Sequence, residues 1–168
     1  LRGYDPERPR LPDPPQACSG ERVVAPPDPC DPARPAMTPV ERLDDRALVF
    51  GDAGDGALLV WAMTHRSASG DALGPVALIR HSPTALAVHA LGMLEAPSNG
   101  SVLALLDAGA GPTARRYLVA EGERGPGGAP EACVREARIL ALDGPRFVPS
   151  SYFDANARCV EPSRLPLL

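Results

Sequence analysis

The sequence predicts a mainly β fold: a small antiparallel meander or sandwich, or an open barrel, preceded by an extended proline-rich arm. Three observations carry that expectation. From residue 46 onward, apolar runs of five to ten residues alternate with Gly, Pro, Asp and Ser clusters, the texture of successive strands and turns. Residues 1–39 hold eleven of the 21 prolines. Four cysteines form two well-separated pairs in a chain with only seven aromatic residues, so crosslinks would reinforce a core filled mostly by Leu, Val and Ala.

The arm comes first. Proline holds φ near −65° and lacks an N–H, so helix and central strand are both disfavoured over residues 1–39, and polyproline-type extension is the natural state. Pro14-Pro15 and Pro26-Pro27 reinforce this. The segment reads either as a spacer or as an arm lying along this protein or a neighbour. The organisation expected is an arm over 1–45, a β-rich globular domain over 46–160 and a tail over 161–168.

The domain's runs are 46–50, 57–64, 76–80, 85–94, 101–106, 116–120, 134–142 and 146–153. Between the first two, Gly51-Asp52-Ala53-Gly54-Asp55-Gly56 fails as a calcium loop, since carboxylates do not alternate at positions 1, 3 and 5. It fails as a phosphate cradle because an apparent strand follows it instead of a helix. A tight turn accounts for every residue. Asp143-Gly144 is the strongest hairpin signal, although Pro145 directly behind it points to a longer turn. Two segments leave a short helix open. One is 82–91, where Ser82-Pro83 could cap a start and Gly92 a stop. The other is 131–142, where Val134, Ala137 and Ala141 share a helical face. Strands are expected at both, because the neighbouring runs are too short for helices.

An even cysteine count without metal-type spacing reads as two disulfides, Cys18–Cys30 and Cys133–Cys159. The first closes a 13-residue loop and the second a 27-residue loop; each would stabilise by about 3–4 kcal/mol on chain-entropy grounds. Crosslinking of arm to body is the alternative connectivity. Disulfides imply an extracytoplasmic location: periplasmic, outer-membrane-anchored or secreted. A cleaved export signal would also explain a chain that starts at Leu1. No apolar stretch approaches the length of a membrane-spanning helix; the longest, 85–94, is ten residues and is broken by His89.

Charge excludes further classes. The first 45 residues carry six Arg against nine acids and the rest eleven against twelve, giving a net charge of −4 with no basic run beyond Arg115-Arg116. Nucleic acid is therefore not an expected partner. All seventeen basic residues are Arg, so Schiff-base catalysis and a P-loop lysine are excluded. His65, His81 and His89 lack metal-motif spacing, and no zinc or other cofactor is expected. Ser67, Ser69 and Ser82 lie near histidines in sequence, but no nucleophile-elbow motif surrounds them. No residue is assigned a catalytic, cofactor or metal role. Asn99-Gly100-Ser101 matches a glycosylation acceptor. Phe147, Tyr152 and Phe153 gather three aromatics, expected to pack in the last hairpin.

The function expected is a non-catalytic structural or accessory subunit that binds another envelope or surface protein through the arm, with the sheet as anchor. The alternatives are a small secreted hydrolase using His65 or His81, or a ligand-binding module.

Overall fold

The structure is a computed structural model that describes residues 22–23, 36–111, 114–124, 134–150, 152–153, 156, 159–160 and 165–166. It is mainly β, as the run-and-turn texture predicts. The strands are β1 Met37–Pro39, β2 Leu48–Asp52, β3 Ala57–Ala62, β4 His65–Ser67, β5 Asp71–Ser82, β6 Ala85–Pro97, β7 Asn99–Ala108, β8 Arg115–Arg124, β9 Val134–Asp143, β10 Arg146–Pro149, β11 Tyr152–Phe153, β12 Cys159–Val160 and β13 Leu165–Pro166. A 3-10 turn at Asp45–Ala47 precedes β2, capped by the Asp44 carboxylate accepting from the Arg46 N–H at 3.0 Å.

Both segments that left a helix open are extended over their described residues: β6 covers 85–97 and β9 covers 134–143. Pairing outweighs helix propensity at each. Residues 82 and 85 close a two-residue turn in which the Ser82 hydroxyl accepts from the Ala85 N–H at 3.0 Å, so Ser82-Pro83 starts a hairpin instead of a helix. The Asp143 signal also resolves. Asp143 pairs with Arg146, leaving Gly144 and Pro145 as a two-residue turn. Gly144 takes φ 53°, as the first position of a II′ turn requires, and the proline ring supplies the negative φ of the second.

Hydrogen-bonded order runs β2-β3-β5-β6-β10-β9-β8-β7, with β4 on β5 beside β3, β1 outside β4, and β13 on β9. β11 and β12 form a separate two-stranded ladder. β1 lies within the proline-rich part of the chain and occupies an edge, where Pro39 needs no ladder donor. Most pairs are antiparallel; β10 meets β6 in parallel through Arg146 and Leu91.

Alternation sets two faces. One inner face carries Leu59, Trp61, Val76, Leu78, Ala90, Leu94, Leu103, Leu118, Ala120, Leu140 and Phe147, all buried in one core. Phe147 thus packs as the sequence predicts. The strongly curved sheet brings its two terminal strands, β2 and β7, against each other. Among the described residues no ladder joins them, so the barrel is open. Gly51 permits this seam: a Cβ there would overlap the Leu103 carbonyl oxygen and lie 2.7 Å from the Leu103 Cβ.

Candidate functional site

Two places concentrate unusual physics. The first is a buried charge network at one end of the sheet. The β4–β5 turn is held by its own side chains: the Asp71 N–H donates to Ser67 Oγ at 3.0 Å, Ser67 and Ser69 hydroxyls meet at 2.8 Å, and Ser69 Oγ donates to Asp71 Oδ2 at 3.1 Å. Asp71 is 1% exposed, and its Oδ1 receives Arg124 Nε at 3.1 Å and Nη2 at 2.7 Å. The same guanidinium stands 3.6 Å from Glu136 Oε2 on β9. Ser98, at the corner between β6 and β7, donates both its N–H and its hydroxyl to the Gly70 carbonyl at 2.9 Å.

That arrangement fastens the β4–β5 turn to the β6–β7 corner, β8 and β9. Both Asp71 oxygens are engaged and the side chain is buried, so the carboxylate is held inside the network. Its chemistry is that of a staple.

The histidines are dispersed. His65 Nδ1 lies 3.0 Å from Thr64 Oγ1, which is also 3.1 Å from the Leu73 carbonyl, so the ring is tied to its own strand corner. His65 pairs with Leu73, and His81 lies eight residues farther along β5, about 26 Å away at strand rise. His81 and His89 are both exposed on the β5–β6 hairpin. Among the described residues no three His, Cys, Asp or Glu side chains form a metal-holding group. Cys18, Cys30 and Cys133 lie outside the described residues; Cys159 pairs through its backbone with Phe153. Asn99 is exposed at the start of β7, with Ser101 Oγ donating to the Pro97 carbonyl at 2.7 Å.

The second place is the outer face of β2, β3, β5 and β6. Register sets Phe50 beside Val60, Leu58 beside Ile79, Ile79 beside Val88, and Leu86 beside His81. Of these, Phe50 is 58%, Val88 62% and Leu86 71% exposed. These side chains line one face of adjacent strands, and exposed apolar groups gathered on one face often mark a functional surface. A sheet with one core face normally alternates apolar and polar residues; here the outer face also carries mostly apolar residues, interrupted by Asp52 and His81. A cleft of about 430 Å³ between residues 38–47 and Arg66 completes the surface relief. Its Arg42, Arg46 and Arg66 are set against Glu41 and Asp44, and Arg66 is spent in part on the Arg46 carbonyl at 2.9 Å.

Comparison with protein-family models, with curated proteins and with solved structures returned no match. No helix among the described residues is long and apolar enough to cross a membrane.

Proposed function

We propose that the chain is a non-catalytic accessory subunit, acting outside the cytoplasm, that binds another envelope or surface protein. The observation that carries this reading is the uncovered apolar outer face centred on Phe50, Leu58 and Val88, a surface that gains from leaving water. The arm over 1–45 supplies a second contact: preset proline φ angles lower the ordering cost when an extended segment docks. The cysteine complement supports the location.

The test is a photoreactive amino acid in place of Phe50, activated in the native cells. The expected result is a crosslink to one partner protein, weakened when residues 1–40 are removed. Crosslinks to no protein, or an unchanged crosslink after removal of the arm, would contradict the reading. Location has its own measurement. Protein isolated from its native setting and alkylated without reductant should keep the mass of the unlabelled chain, and should gain four labels only after reduction. Four labels without reductant would place the chain in a reducing compartment.

A further inference from the structure

We infer that the β5–β6 hairpin is a self-association arm, which pairs the outer edge of β6 with the same edge of a second copy of this chain. Every residue from Arg80 to His89 is exposed. β3 reaches only as far as Arg80, through its pair with Ala57. On the other side, β10 begins to cover β6 at Leu91, whose N–H donates to the Pro145 carbonyl at 3.0 Å. Among the described residues nothing but β5 pairs with Ala85–Ala90. The edge is a row of backbone groups presented to solvent.

Protein edges are normally blunted by charge, proline or brevity. From His81 to Leu94 there is no Asp, Glu, Arg or Lys, and the only proline is in the turn at Pro83. One protective device is present: the register shift opposite Leu78 and Ile79 leaves His89 as an extra residue, which confines the regular edge to Ala85–Val88.

A second copy is the occupant that this edge fits. Two identical edges can always pair antiparallel about a two-fold axis normal to the sheet, provided no like charges meet across it. None would. That axis keeps both outer faces on the same side, so Leu86 and Val88 of the two copies adjoin and extend the apolar face across the junction. Four paired residues a side make a small interface, below the roughly 1,200 Å² of stable complexes, so association is reversible.

Sedimentation velocity of the purified chain tests this, independently of any heterologous partner, so its failure leaves the partner-binding reading standing. The wild type should pass from monomer to dimer as concentration rises to about 100 μM, the range where weak protein contacts populate. Val88→Lys should remain monomeric throughout. Leu106→Lys, on β7 and 52% exposed, should dimerise like the wild type. Each variant is checked for an unchanged Trp61 emission spectrum, and Leu86→Lys replaces Val88→Lys if the latter fails to fold. A wild type that stays monomeric, a lysine variant of the hairpin that still dimerises, or loss of the dimer in Leu106→Lys would each overturn the inference.

Discussion

Replacing Asp71 by alanine is expected to lower the free energy of unfolding by about 3 kcal/mol or more, because it leaves Arg124 without the buried carboxylate that takes two of its hydrogen bonds. For a chain of this length that corresponds to a melting temperature lower by roughly 10 °C. The effect has a built-in relief. Arg124 already stands 3.6 Å from Glu136 Oε2, which has no hydrogen-bond partner, so the guanidinium can turn toward it. Glu136→Gln alone should therefore cost far less than Asp71→Ala, while the double variant, with that relief removed, should cost more than the sum of the two. A thermodynamic cycle reads this directly as a coupling of about 0.5 kcal/mol or more. Strict additivity would mean that Arg124 does not redistribute between the acids.

Trp61 presents the second large effect. It is fully buried at the centre of the core, so Trp61→Ala is expected to cost about 3–5 kcal/mol in transfer and cavity terms. Its indole Nε1 has no hydrogen-bond partner, however, and an orphaned buried donor costs about 1–3 kcal/mol. Trp61→Phe removes that donor and keeps most of the ring. It should consequently cost much less than Trp61→Ala, on the order of 1–2 kcal/mol, the lost volume being partly offset. Urea unfolding followed by circular dichroism compares the two. Equal destabilisation would show that the indole nitrogen is satisfied in solution.

The fold was legible because strand punctuation is local. The runs at 57–64, 85–94 and 134–142 mark the first residues of β3, β6 and β9, and the turns after β2 and β9 fall within the clusters at 51–56 and 143–145. Strand ends were less legible. β5 begins at Asp71, inside a Ser- and Gly-containing stretch that reads as loop, because its first residues are held by β4 and β6 and not by their own propensity. The Asp71–Arg124 staple had no sequence signal at all: its members are 53 residues apart, and each is ordinary in its own neighbourhood. The outer apolar face did leave a trace. The stretches 57–62 and 85–88 lack the polar alternation of a half-solvated strand, so their second apolar face can be read from the same residues that mark the strands.

The placement of β10 bears on when this molecule can acquire its shape. The hydrogen-bonded path from the β2–β6 half to the β7–β9 half passes through residues 146–149, which enter between β6 and β9. Until those residues have been synthesised, the nascent chain holds two hairpin assemblies with unpaired inner edges and no continuous ladder between them. Non-local closure of this kind is slow relative to hairpin formation. The sheet therefore becomes continuous only once residues 146–149 have entered it, after the hairpins on either side have had time to form.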